Sequence, residues 1–308
     1  ATVNIIVEGV YVDATAVASD SSDITLTSSV NTTIYRGTSN PEIIIVGAED
    51  SILRLGSKDS SFSITFDGNR DYVESNDLKT GVLVYAQGKD FTMYGNITLK
   101  NNINNISDSS YGGALYLYGL QAGNTSDNSG HVTINGGTIE NCSASAGGGF
   151  AVVGTNVIVY NMTVSNCTGS GAYFSDIIED VNTYEQTLAS KYSSTTVDNS
   201  NREYDFQTIS CIISGNSGAY KSYEYKGDIW EGQFGGGIFV FIDHTPATLT
   251  INGGLISENS AEYGGGVASV SSMEYDDTVM PEDYDVKPNV INESTETATI
   301  SAVSTGAN

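Results

Sequence analysis

The sequence is poor in basic residues, tryptophan and proline. It has 12 Lys and Arg against 37 Asp and Glu, which gives a formal net charge of −25. Proteins bind the nucleic-acid backbone mainly through clustered Lys and Arg, so this balance argues against a nucleic-acid partner. It disfavours an anionic membrane surface for the same reason. No apolar run approaches the roughly 18 residues that span a bilayer, and we expect no transmembrane segment.

Cysteine is scarce as well, with three residues among 308, which excludes a disulfide-dense scaffold. Gly and Tyr are abundant instead, with 34 and 19 residues, and this composition favours one domain of many short strands. The sequence starts at Ala1 without an initiator Met. This fits a secreted protein whose signal peptide has been removed, or a trimmed chain. High acidity, low Lys content and polar repeats favour an extracellular or cell-surface location.

An internal repeat is the main signal in the sequence. Residues 133–143 and 250–260 match at identical internal spacing, and each segment leads to a Gly-Gly-Gly triplet. Weaker copies lie at 96–102, 161–167 and 211–217, and a short apolar strand follows each glycine cluster. Such short strands cannot bury their apolar side alone, so stacking of neighbouring copies is expected.

The repeat length predicts the architecture. Cys142 and Cys167 are equivalent residues of adjacent copies, and a repeat of roughly 20–25 residues fits a right-handed parallel β-helix. We predict a single all-β domain over 1–308 with about 10–12 such coils. Entry coils should occupy 1–90, repeat coils 91–272, and an acidic loop with a terminal strand 273–308. Four insertions should leave the coils as loops, at 119–130, 177–206, 218–234 and 272–290. No window shows helical periodicity beyond one turn at 13–18.

One repeat position is expected to form a polar ladder at a corner of the coils. It is asparagine in three copies: Asn102, Asn216 and Asn259. Their amides can hydrogen-bond along the stack, and Asn tolerates the left-handed conformation that a tight corner needs. Cys142 and Cys167 occupy this position in adjacent coils. Their Cα atoms should lie about 5 Å apart, so we predict a disulfide, with two stacked free thiols as the alternative. Cys211 is out of this register and should be a buried free thiol.

These residues resemble the repeats of β-helices of the polymorphic-outer-membrane-protein type. That family combines a Gly-Gly-Ala/Ile/Leu/Val element with an apolar-x-x-Asn element. The first element occurs here at 112–114, 236–238 and 265–267, and the second at 99–102, 213–216 and 256–259. The resemblance covers roughly residues 91–272, with Ile or Leu where the family often has Phe. It implies a large surface or secreted adhesin, and it specifies the fold better than the function.

A polysaccharide-acting enzyme of the pectate-lyase or glycoside-hydrolase type is the alternative function, since right-handed β-helices also host such enzymes. Residues 241–244 resemble a pectate-lyase segment, but no arginine-containing motif accompanies them. The two histidines, His131 and His244, are far apart in sequence, which disfavours a Ser/His/Asp site or a His-ligated metal. We therefore predict no catalytic residue, and a turn at Asp243 and His244.

Candidate partner sites lie in the insertions. The third insertion concentrates aromatic residues: Tyr220, Tyr223, Tyr225, Trp230 and Phe234. They could bind glycans or proteins of a host or cell surface, or they could fold back over the wall of the β-helix. The densest acidic cluster is Asp276, Asp277, Glu282 and Asp283. It lacks the spacing of a known calcium loop, so a solvated loop is favoured over Ca²⁺ binding, and no other cofactor is expected.

Self-association and glycosylation are the remaining expectations. The ends of a β-helix present unpaired backbone groups, so strand addition can build a filament or sheath end to end. The candidate contacts are Val3, Ile5, Val7, Thr299, Ile300 and Val303. Sequons permit N-glycosylation at Asn31, Asn96, Asn105, Asn124, Asn161 and Asn292. The sequence thus predicts a non-catalytic surface protein for adhesion or surface architecture.

Overall fold

The short segments with alternating apolar residues form strands in the computed structural model. The structure describes residues 2–7, 10–12, 23–37, 45–47, 52–123, 130–176, 203–225, 228–243 and 247–271. These residues build one sheet of 11 strands and a second of 8 strands, and neighbouring strands in both run parallel. The predicted all-β class is confirmed.

The strands of the two sheets alternate along the chain. The first sheet consists of β1 Thr2–Val7, β3 Asp23–Leu26, β4 Asn31–Arg36, β6 Ile52–Leu55, β7 Ile64–Asp67, β9 Asp90–Tyr94, β10 Ile97–Ile103, β12 Val132–Ser143, β14 Val157–Ser165, β16 Tyr204–Ser214 and β20 Ala247–Ser257. The second consists of β2 Val10–Val12, β5 Ile45–Gly47, β8 Val84–Ala86, β11 Leu115–Tyr118, β13 Phe150–Val153, β15 Ala172–Ser175, β19 Ile238–Ile242 and β21 Val267–Ser271. Two further strands, β17 Ala219–Tyr225 and β18 Asp228–Phe234, form a separate antiparallel pair.

The alternation divides the described residues into eight repeats, one for each strand of the second sheet. The sequence predicted about 10–12 coils of roughly 20–25 residues. That length came from a single pair of adjacent copies, and several repeats are longer because insertions lie inside them. Residues 272–308, with the predicted acidic loop and terminal strand, lie outside the described residues.

Residues in the left-handed conformation bend the long strands of the first sheet. β12 pairs first with β9 and then with β10, and the residue between the two halves is Gly136, with φ 95°. Asn161, Ser210 and Gly253 follow it in the register of the next strands, with φ of 50°, 55° and 67°. Since such backbone favours Gly and tolerates Asn, the aligned bends explain the Asn and Gly content of these strands.

The glycine triplets precede the strands of the second sheet, as the sequence predicts. Gly148 shows why a side chain is not accepted there, because a Cβ atom would lie 1.9 Å from the Thr168 carbonyl oxygen of the next repeat. At Gly113 the equivalent distance, to the Gly148 carbonyl oxygen, is also 1.9 Å. These glycines allow successive backbones to approach closely.

Aliphatic columns build the main core. Phe66, Leu99, Ile139, Val164 and Ile213 are register neighbours in successive strands, and all are buried. The second sheet is buried on both faces, because a second cluster packs on its far side. That cluster includes Tyr85, Tyr116, Tyr173, Phe239 and Phe241. Burial on both faces explains why these strands are apolar at successive positions instead of alternating.

Three features of the fold differ from the sequence prediction. A helix, α1 Arg70–Ser75, was not expected, and with six residues and one buried side chain, Val73, it leaves little periodicity to detect. The insertion predicted at 177–206 ends earlier, since Tyr204 and Phe206 are buried residues of β16. The insertion at 218–234 is a hairpin instead of an irregular loop. Among the described residues no helix is long and apolar enough to cross a membrane.

Candidate binding surface

The predicted asparagine ladder is present where β16 and β20 end. Asn216 Nδ2 donates to Asn259 Oδ1 at 2.9 Å, and the Asn216 backbone N–H donates to the same oxygen at 3.0 Å. Asn216 Oδ1 accepts the backbone N–H of Cys167 at 2.8 Å. Asn259 Nδ2 donates to the Ile213 carbonyl at 2.8 Å. Both amides are buried, and their bonds connect three successive repeats.

Cys142 and Cys167 occupy the ladder position, as predicted. Asn102 pairs with Cys142, and the bridge between Ser143 and Thr168 places Cys142 beside Cys167. The predicted disulfide is not formed, because both thiols are free in the structure. Side chains of in-register parallel strands point the same way, so their Cβ atoms keep the strand spacing of about 4.8 Å. A disulfide needs about 3.5–4.5 Å, a requirement that the Cα spacing alone does not test.

The two free thiols donate hydrogen bonds to backbone carbonyls. Cys142 Sγ donates to the Glu140 carbonyl and Cys167 Sγ to the Ser165 carbonyl, both at 3.3 Å. Burial raises the pKa of Cys142 well above its usual value and raises the pKa of Cys167 to about 12. Cys211 is buried and free, as predicted, and burial raises its pKa too.

The sequence predicted that the ladder residue takes the left-handed conformation at this corner. That prediction is wrong, because the residue before the ladder residue takes it. Positive φ is found at Asn101, Asn141, Asn166, Gly215 and Glu258, between 53° and 67°. The turn points the preceding side chain outward and the ladder side chain inward. Asn141 Nδ2 donates to Asn101 Oδ1 at 2.9 Å, so these outward amides form a bond of their own.

Arg36 closes the ladder at its N-terminal side. Its Nη2 atom donates to Asn102 Oδ1 at 3.0 Å and to the Gly81 carbonyl at 2.9 Å. Gly68 lies between the two residues in the register, and a Cβ atom there would lie 2.5 Å from Asn102 Oδ1. The missing side chain gives the guanidinium room to reach over one repeat. No motif in the sequence marks Arg36 for this role.

The hairpin of β17 and β18 carries the predicted aromatic site, and its two faces differ. Lys221, Tyr223, Trp230 and Phe234 turn toward the second sheet, and Phe234 is fully buried. Tyr220 turns outward and is 62 % exposed. The side chain of Tyr225 lies outside the described ones. Three of the five aromatic residues therefore cover the wall, as the fold-back interpretation of this insertion expects.

Aromatic contacts fix the inner face of the hairpin. The Tyr223 ring lies 5.4 Å from that of Phe241, and the Phe234 ring lies 4.6 Å from that of Tyr263, both stacked. Trp230 contacts Tyr263 at 5.6 Å between centroids. Such pairs add to the stability that burial alone provides. The hairpin is thereby fixed to the body of the protein.

A pair of titratable side chains that sequence reasoning missed lies at the N-terminal ends of β12 and β16 in the first sheet. His131 Nε2 and Asp205 Oδ2 are 3.0 Å apart, although the residues are separated by 74 positions. Gln207 Nε2 donates to the same carboxylate oxygen. Asp90 begins the neighbouring strand β9, and burial raises its pKa. Only the register of β9, β12, β14 and β16 brings these residues together, and no local motif marks them.

Several predicted sites lie wholly or partly outside the described residues. These are the metal candidates Asp276, Asp277, Glu282 and Asp283, the contact candidates Thr299, Ile300 and Val303, the sequon residues Asn124 and Asn292, and His244. Asp243 is described, and its backbone N–H donates to Asp176 Oδ1 at 3.0 Å. The remaining contact candidates, Val3, Ile5 and Val7, belong to β1. Within the described ranges, no group of three or more His, Cys, Asp or Glu residues could hold a metal ion.

The described sequon residues differ in how their amides are used. Asn105 Nδ2 donates to the Leu78 carbonyl at 3.2 Å, and Asn96 Nδ2 donates to the Phe62 carbonyl at 2.8 Å. Asn161 is exposed at a strand bend, and Asn31 is exposed with its Oδ1 atom accepting from the Ser63 backbone. A glycan replaces a hydrogen of Nδ2, so Asn31 and Asn161 are the better acceptors.

No protein-family model matches this chain, and neither curated proteins nor solved structures show a significant match.

Proposed function

We propose that the two parallel sheets wind as a right-handed parallel β-helix of the polymorphic-outer-membrane-protein type. The observation that carries this proposal is the unbroken register of both sheets through eight repeats. In the last four described repeats, those of β12, β14, β16 and β20, aligned left-handed residues mark two bends and a glycine cluster marks a third. Three bends per repeat are what a coil of three short strands needs.

The proposed role is that of a non-catalytic, extracellular or cell-surface scaffold for adhesion, exported with a signal peptide that is then removed. A stack of in-register repeats is a rigid rod, about 34 Å long over the eight described repeats at the strand spacing. Rigid solenoids suit the display of loops at a distance from a surface. His131 bonds to Asp205, whose carboxylate also accepts from Gln207, and this contact ties the start of β12 to β16 within the scaffold.

Assembly end to end is a second candidate function, favoured by the strand order. Among the described strands, β1 and β2 at one end and β20 and β21 at the other each have a neighbour on one side only. All these strands are parallel within their sheets, so a second copy can continue both sheets head to tail. Such a heterologous contact repeats without closing and produces a filament.

Electron microscopy of the protein isolated from its natural source, with and without a chelator of divalent cations, tests both proposals. Separate rods that also bind to cells support the adhesin. Filaments with an axial repeat of one protein length support end-to-end assembly, and their loss in chelator would assign a role to Ca²⁺. Particles without the strand spacing of about 4.8 Å along their axis contradict the β-helix itself.

A further inference from the structure

The outer face of the hairpin carries the two most exposed large apolar side chains among the described residues. Ile229 is 69 % exposed and Tyr220 is 62 % exposed. Ser222 pairs with Glu231 across the hairpin, and Tyr220 pairs with Gln233. Polar side chains thus surround two apolar ones on a single flat face. Singly exposed apolar side chains are common on protein surfaces, so the case for a partner depends on the groups that surround these two.

Hydrogen bonding orients the exposed ring before any partner arrives. The Tyr220 hydroxyl donates to Glu231 Oε1 at 2.7 Å. This bond, with the nearby charges of Glu231 and Glu262, raises the pKa of Tyr220. Glu262 lies against the hairpin at Gly232, which pairs with the inward-facing Lys221, and a Cβ atom there would be 1.9 Å from its Oε2 atom. One carboxylate therefore bonds to the preoriented aromatic ring and the charge of a second acts on it, and preorientation lowers the entropy cost of binding.

Charge determines which class of partner fits this face. A guanidinium or ammonium group can lie over an aromatic ring and bond to an adjacent carboxylate in one arrangement. The chain as a whole has a net charge of −25, which attracts cations and repels anions over longer distances. Ile229 adds an apolar contact that a protein side chain can use better than a sugar can.

We propose that the outer face of the hairpin, formed by Tyr220, Ser222, Ile229, Glu231 and Gln233 with Glu262 beside it, binds an Arg- or Lys-bearing segment of a partner protein. The basic side chain lies on the Tyr220 ring and bonds to Glu231. An apolar neighbour in the same segment packs on Ile229. This inference rests on the proposed scaffold function and deepens it by naming the class of partner.

A peptide-display selection on the full chain tests the proposal, because it does not presuppose one ligand. Peptides enriched for Arg or Lys beside an apolar residue are expected. Their affinity, measured by fluorescence anisotropy, should fall about tenfold or more in the Tyr220→Ala/Glu231→Gln variant. The matched control is Tyr72→Ala/Glu74→Gln on α1, which removes one exposed tyrosine and one exposed carboxylate and changes the net charge equally. That variant should bind within about twofold of the unmodified protein.

Four results would overturn the proposal. The first is equal weakening in both double variants, which assigns the attraction to overall charge, and the second is unchanged binding when each Arg of the peptide is replaced by citrulline. The third is a selection that enriches no basic peptides. The fourth is Tyr220-dependent binding of neutral oligosaccharides on an array, which identifies a glycan site instead. Thermal unfolding of each variant checks that its fold is intact. Neither double variant touches the ladder or the sheet ends, so electron microscopy of the rods reports on the scaffold function separately.

Discussion

Asn216 and Asn259 share one hydrogen bond, from Nδ2 of the first to Oδ1 of the second at 2.9 Å, inside a corner that water does not reach. Every polar atom of such a pair needs a partner, because an unsatisfied buried group costs about 1–3 kcal/mol. The Asn216 side chain bonds to the repeats on both sides, since its Nδ2 atom donates to Asn259 and its Oδ1 atom accepts the Cys167 N–H. The ladder therefore makes each repeat depend on the correct placement of the next.

Replacing Asn216 with Ala should lower the free energy of unfolding by about 2 kcal/mol or more, because the Cys167 N–H loses its acceptor. Urea unfolding followed by circular dichroism measures this. Asn252→Ala is the control, since Asn252 is an exposed residue of β20, the strand that ends just before Asn259, and its loss should change stability by less than about 0.5 kcal/mol. Equal effects of the two substitutions would contradict the ladder.

Gly148→Ala should destabilise the protein by about 3 kcal/mol, near the upper end for overpacking, because the new Cβ atom meets a backbone oxygen that cannot move aside. Gly95→Ala is the matched control. A Cβ atom there would lie 3.9 Å from the Asn135 carbonyl oxygen, which is an ordinary contact. Thermal melting of the two variants compares them, and similar melting temperatures would show that the repeats are not closely stacked at the glycine corner.

The three cysteines should all react as free thiols once the protein is unfolded without reductant. In the folded protein they should react slowly with alkylating reagents, because burial and raised pKa values leave little thiolate. Thiol titration before and after denaturation measures both quantities. A single reactive thiol in the unfolded chain would show that Cys142 and Cys167 are oxidised to the disulfide after all.

Stability should decrease as the pH rises above about 9. The Cys167 thiol has a pKa of about 12 in the fold against an ordinary value of 9.0, so between these values the unfolded chain releases a proton that the folded protein keeps. The contribution is complete below about pH 8.5 and declines by at most about 1.4 kcal/mol per pH unit for each such thiol. Urea midpoints from pH 7 to 10 test this, and Cys142→Ala/Cys167→Ala should reduce the slope.

If the protein is made in a glycosylating host, Asn161 should carry a glycan and Asn105 should not. Asn161 is exposed, whereas Asn105 Nδ2 donates within the fold. Mass spectrometry of glycopeptides from a chymotryptic digest of the secreted protein gives the occupancy of each site, because Tyr and Leu residues lie between the two asparagines and no Lys or Arg does. High occupancy at Asn105 would mean that its turn does not form as described.

The repeating features of the fold could be predicted from the sequence, because a weak pattern that recurs at the same spacing in several copies becomes a strong one. The alternation of each short strand, the glycine clusters and the register of Asn216 with Asn259 were all visible as spacing. The left-handed residue was placed one position too late, since Asn101 and Asn102 are adjacent and identical in type, and only the backbone distinguishes outward from inward.

The candidate surface was less predictable, because it depends on which side of a strand each residue takes. Tyr220 and Tyr223 are three residues apart in one aromatic-rich insertion, yet one is exposed and the other packs on Phe241. Residues 218–234 can be interpreted as a loop until the pairing of β17 with β18 is known. His131 and Asp205 are a similar case, because their contact depends on how an insertion between them is accommodated.

Several hydrogen bonds among the described residues reach past the adjacent repeat. His131, just before β12, meets Asp205 in β16 across β14, and Arg36 in β4 meets Asn102 in β10 across β7. Arg70, which follows β7, meets Asn141 in β12 across β10. In a linear array with contacts only between neighbours, local opening can begin at any interface and spread one unit at a time. A bond between a repeat and the next but one spans both of the contacts between the three repeats, so neither contact can open while the bond is intact. Fluctuations of this protein should therefore involve blocks of three repeats, and amide exchange should report common opening energies within each block.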